Sequence, residues 1–143
     1  MSEASFEQVE ALVRRTYERI WADWYASFPD ARPATLAVEN SDRSGGYSPS
    51  RDLLLVAVPE GNLEDFHILN ARGWPIWKVE LVHEMLHEFQ SKRVDAPTPE
   101  GVALCARFRR RFSGGGHDDL FFTAVADRAS YFGTSPEELI DRL

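Results

Sequence analysis

The chain has 143 residues, enough for a single domain that hides roughly two-thirds of its extended surface. Hydrophobic residues make up 43% and charged residues 27%, ordinary globular values that argue against disorder except at the ends. A net charge of −7 speaks against a nucleic-acid-binding module, which needs a basic face, and the single cysteine, Cys105, excludes both an intramolecular disulfide and a cysteine-rich zinc site.

The start, Met1-Ser2-Glu3-Ala4, lacks the basic residues and apolar run of a classical export signal. No apolar stretch of about 18 residues occurs, so a cytoplasmic protein without a membrane span is expected. The first element is a long helix over 5–27. Phe6, Val9, Val13, Tyr17, Ile20 and Trp24 recur at spacings of three and four and make one apolar stripe. Ser5 and Gln8 form a capping box, and Pro29 ends the helix.

A small two- or three-stranded sheet follows. Residues 35–39 read as a strand, residues 42–46 as a turn and the apolar run 53–58 as a strand covered on both faces. Residues 60–62 turn the chain, and 66–69 read as a third short strand. Strands without βαβ alternation predict an α+β domain spanning 1–143.

The remainder is helical. One helix is expected over 75–92 with Pro75 at its first position, and another over 98–112 with Pro99 and Glu100 in its first turn. Gly114-Gly115-Gly116 breaks the chain before a helix over 118–132, stopped by Gly133. Ser135, Pro136 and Glu138 open a last short helix. Cys105 lies in an apolar helical stretch and reads as core. Arg107, Arg109, Arg110 and Arg111 read as the wet face of a helix.

Chemistry concentrates at His83-Glu84-Met85-Leu86-His87. Residues four apart lie one turn from each other on one helix face, so His83 and His87 can hold one zinc ion. Glu84 projects about 100° round the helix from His83. It can take a proton from an activated water without ligating the metal. Trp77, Leu81, Val82, Met85, Leu86 and Phe89 make this helix mostly buried. Polar side chains on such a helix need partners, and a metal supplies one. The bland alternative is a pair of surface histidines hydrogen-bonded to neighbours.

Catalytic zinc takes a third protein ligand. His117, on a glycine-rich approach to a helix, is the preferred residue. His67 and the carboxylates Asp118, Asp119 and Asp127 are the alternatives. Asp118 and Asp119 have a competing role at a helix start, which favours negative charge. Asp127 has one as a surface partner of Arg128 or Arg110.

The run Leu81-Val82-His83-Glu84-Met85-Leu86-His87 resembles the active-site helix of SprT-like zincin metallopeptidases. That family carries a second motif, a histidine followed four residues later by phenylalanine, and His117-Asp118-Asp119-Leu120-Phe121 matches it. The order of elements is also similar: long N-terminal helix, small sheet, metal helix, third ligand. The resemblance implies a zincin-like fold and zinc bound by His83, His87 and His117. It also implies Glu84 as catalytic base and hydrolysis of a protein or peptide substrate. The chain departs from the family in two ways. An extra helix lies between His87 and His117, and the cysteine-rich ribbon of many members is missing. DNA-repair members work on DNA-bound proteins, but this acidic chain lacks an obvious DNA-binding element, so association with DNA is not carried over.

Zincins commonly hold substrate by strand addition, for which 53–58 or its neighbour is the expected edge. Tyr47, Arg51, Arg128 and Tyr131 are candidates for steadying the oxyanion. Two other functions fit the same motif. One is a non-catalytic binding or accessory module whose structural metal site is closed by Asp118 or Asp127. The other is a regulatory peptidase that cuts a repressor and uses an acidic third ligand such as Asp127.

Overall fold

The computed structural model describes residues 5–60, 66–71 and 73–143. Among them are five α-helices and one three-stranded mixed sheet, an α+β architecture. No helix among them is long and apolar enough to cross a membrane. The chain divides into two compact units, Met1–Glu84 and Met85–Leu143.

In the first unit, helix α1 spans Phe6–Trp24. Ser5 caps it through the expected box: Gln8 N–H donates to Ser5 Oγ at 3.2 Å, and Ser5 N–H donates to Gln8 Oε1 at 3.0 Å. The helix ends three residues before the expected Ser27, because Tyr25 already serves as its C-cap. Val9, Val13, Tyr17, Ile20 and Trp24 of the predicted stripe are buried. The Tyr17 hydroxyl accepts from Ala34 N–H at 2.9 Å and so fixes the approach to the sheet.

The strands are β1 (Thr35–Asn40), β2 (Gly46–Ser48) and β3 (Leu53–Val58), in the order β1-β3-β2. β3 runs parallel to β1 and antiparallel to β2. Leu54, Val56 and Val58 are fully buried on one face, whereas Leu53 and Leu55 on the other are only partly covered. Two sequence expectations need correction. First, 53–58 itself is not the substrate edge: β3 is hydrogen-bonded on both sides, so the sheet edges belong to its neighbours β1 and β2, the other half of that expectation. Arg14 Nη1 already donates to the Leu36 carbonyl of β1 at 3.0 Å. Second, 66–69 is not a strand. Phe66 and His67 lie in a helical turn, and Leu69 makes only an isolated bridge to Pro75. That bridge closes an asparagine-centred turn, in which Trp74 N–H donates to Asn70 Oδ1 at 3.1 Å.

β2 was hidden by its glycines. A Cβ on Gly45 would sit 2.6 Å from the Leu55 carbonyl oxygen. Gly45 is thus required for close approach to β3, and Gly46 begins a strand. The expected turn at 60–62 falls largely outside the described residues.

Helix α2 spans Ile76–Arg93 without a break, and the boundary between the units falls within it, after Glu84. Leu81, Val82, Met85, Leu86 and Phe89 are buried on it, as is Glu88, which carries an ion pair to Lys92 at 2.6 Å.

The second unit adds α3 (Pro99–Phe108), α4 (Asp119–Arg128) and α5 (Pro136–Arg142). Both α3 and α4 are shorter than expected, since Arg109–Arg111 and Ala129–Phe132 tighten into 3-10 turns. Thr98 caps α3, Asp118 caps α4 and Ser135 caps α5. α3 and α4 touch at Gly101, where a Cβ would lie 2.7 Å from Thr123 Cα, so no larger residue fits. Leu104, Cys105, Phe121, Phe122, Val125, Leu139 and Ile140 are buried, and the expectation that Cys105 is core holds.

Candidate metal centre

His83 and His87 occupy successive turns of one face of α2, as their spacing requires. His117 directly precedes Asp118, the N-cap of α4. The ring nitrogens available from His83, His87 and His117 lie within 4.8 Å of one another. All three residues are half-buried.

Within the second unit the geometry is specific. His87 Nε2 and His117 Nε2 face each other at 3.3 Å. Zinc–nitrogen bonds of about 2.05 Å in a tetrahedron put ligand nitrogens about 3.4 Å apart, so this separation matches two ligands of one ion. The proton positions follow from the neighbours. Gln90 Nε2 donates to Asp118 Oδ1 at 3.2 Å. That oxygen already accepts from Leu120 N–H and Phe121 N–H, so it acts as an acceptor and fixes the Gln90 amide. The Gln90 carbonyl oxygen then faces His87 Nδ1 at 3.2 Å and must accept a proton from it. His117 Nδ1 similarly faces the Gly114 carbonyl at 3.5 Å. With both Nδ1 atoms facing carbonyl oxygens, the Nε2 lone pairs of the two rings can turn toward each other. That arrangement is repulsive by itself and favourable around a cation. The donor set thus fits a divalent metal.

Electrostatics agree. Burial pushes the His87 imidazole down to about 4, with His117 adding to the effect and Gln90 and Asp118 opposing it. His87 is therefore neutral at physiological pH, the form a metal needs. Burial, with the neighbouring Glu80 carboxylate as the smaller cause, raises the Glu84 carboxyl to about 7. Glu80 is itself raised by burial.

Phe121, four residues after His117, packs between the two rings. Its fully buried ring lies 4.5 Å from the His87 ring and meets the His117 ring edge-on at 4.9 Å. Phe112 stacks on His117 at 5.1 Å. Gly116, at φ +85°, passes close to His87, where a Cβ would lie 3.4 Å from Cε1. A side chain there would be strained by the backbone and would press on the ring.

The other residues considered from sequence have different work. Asp118 is a helix cap, as its competing reading held. Asp127 pairs with Arg128 at 3.0 Å and is half exposed. Asp119 is hydrogen-bonded to Cys105. His67 is exposed in its turn, and Arg51 is exposed beside the sheet. The Tyr47 hydroxyl donates to Asp52 at 2.8 Å. Arg128 also lies over the Phe89 ring at 4.5 Å, and Tyr131 packs edge-on against Phe132. Sequence reasoning missed Gln90. Its position three residues after His87 was the available signal, since that spacing puts both on one helix face.

Gln90 should matter measurably. If the three histidines hold zinc, Gln90→Leu, which removes the acceptor facing His87 Nδ1, should lower zinc affinity about tenfold to a hundredfold in competition with a chromophoric chelator.

Comparison with protein-family models, with curated proteins and with solved structures yields no match.

Proposed function

We propose that the protein is a zinc-dependent metallopeptidase of zincin type, related to the SprT-like enzymes, in which His83, His87 and His117 hold the metal. The observation that carries this reading is the pair of Nε2 atoms facing each other at 3.3 Å while both Nδ1 atoms face carbonyl oxygens, of Gln90 at 3.2 Å and of Gly114 at 3.5 Å. When bound, zinc supplies a Lewis acid that polarises the scissile carbonyl and makes water a better nucleophile. Glu84 accepts a proton from the attacking water and delivers it to the leaving amine. A carboxyl poised at about 7 suits both transfers near neutral pH. His87 is held in its donor orientation by Gln90, which Asp118 anchors in turn. Strand addition of substrate falls to β1 or β2, the edges of the sheet.

The histidine set supports this reading over the repressor-cleaving one, because the acidic ligand that reading needs, Asp127, is paired with Arg128. It also supports it over a closed structural site, since neither Asp118 nor Asp127 belongs to the cluster of donor atoms.

The test is hydrolysis of an unfolded protein substrate by the purified chain. Activity should disappear with chelator and return with added zinc. Hydrolysis that persists undiminished under chelation would reject the proposal.

A further inference from the structure

No acidic residue lies between Gly101 and His117, yet Arg107, Arg109, Arg110 and Arg111 all do, in a chain of net charge −7. All four are exposed. Arg111 is spent on an ion pair with Asp141, and Arg107 lies over the Phe108 ring at 4.7 Å. Among the described residues, Arg109 and Arg110 pair with no carboxylate. Like charges held this closely repel and favour a bound anion. The segment also has a definite address. The 3-10 turn Arg109–Arg111 leads straight into Phe112, whose ring stacks on His117.

We infer that Arg109 and Arg110 dock an acidic segment of a protein substrate beside His117. This inference rests on the peptidase reading for calling that segment substrate, although the docking itself needs no metal. A short Asp- or Glu-rich stretch is favoured over nucleic acid by the charge balance. It can confine its charge to the arginines, whereas a duplex extends its phosphates over the rest of an acidic chain and is repelled there. Recognition of this kind acts through exposed ion pairs, so it is modest in strength and weakens with salt.

Fluorescence anisotropy with a labelled oligoglutamate peptide, on the full chain in chelator and at low salt, tests the inference. Arg109→Ala/Arg110→Ala should weaken binding about fivefold, the effect of two exposed ion pairs. Arg15→Ala/Arg19→Ala removes the same charge from exposed positions on α1 and should leave binding within about twofold of the parent. Equal weakening by both pairs would reduce the effect to bulk charge and overturn the inference. So would failure of the parent to bind oligoglutamate, or tighter binding of a duplex oligonucleotide. Zinc content should be the same in Arg109→Ala/Arg110→Ala as in the parent. A parent that binds oligoglutamate but takes up no zinc would sink the peptidase reading and leave the acidic-segment surface standing.

Discussion

Replacing Glu84 by glutamine should leave zinc content unchanged and slow peptide hydrolysis by about a hundredfold to ten-thousandfold, the usual contribution of a general base. The substitution keeps the side-chain volume and removes only the capacity to accept a proton. Glu84 follows His83 by one residue and so points about 100° away from the ligand face. The histidine donors should not notice the change. Burial, with the Glu80 carboxylate in second place, brings the Glu84 carboxyl to about 7, so proton acceptance and release are nearly balanced at neutral pH. Loss of zinc in Glu84→Gln would make Glu84 a ligand. Undiminished turnover would remove it from the mechanism.

The same substitution should reshape the stability of the metal-free protein with pH. The carboxyl of Glu84 is raised from 4.5 to about 7 by folding. A raised carboxyl binds more protons folded than unfolded, so its contribution is intact below 4.5 and is lost as pH rises through 7. His87 goes the other way, from 6.5 to about 4. Its contribution is intact above 6.5 and is lost as pH falls through 4. Each amounts to about 3 kcal/mol, and across the shared window the two oppose each other. In the difference between Glu84→Gln and parent, the His87 contribution cancels. Denaturant unfolding in chelator should show that difference moving in favour of the variant by about 3 kcal/mol between pH 4.5 and 7.5. A difference that does not change with pH would mean that Glu84 titrates as it does in water.

What could be read from sequence was what local rules decide. The Ser5 box, the stripe on α1, the caps at Thr98 and Ser135 and the i, i+4 pairing of His83 with His87 all depend on residues within a few positions of each other. The features that escaped depend on distant chain. Gly45 looked like turn material, and its role appears only once β3 lies against it. The run 66–69 has strand composition but finds no partner beyond Pro75. α3 and α4 carry helical sequence to 112 and 132, yet their last turns tighten to 3-10 geometry. At the metal centre, His117 was one of several possible third ligands. Its ring meets that of His87 across a separation of thirty positions, a contact that no local pattern encodes. The Gln90–Asp118 link is of the same kind, since it spans two elements.

In the proposed site three histidines, and no carboxylate, hold one metal ion. Zinc content of the parent, His117→Ala and Asp127→Ala, measured side by side after equilibration with limiting free zinc, tests it most directly. One zinc per chain is expected in the parent and in Asp127→Ala, with affinity reduced by more than about a hundredfold in His117→Ala. Full retention of zinc by His117→Ala, or its loss from Asp127→Ala, would contradict the assignment.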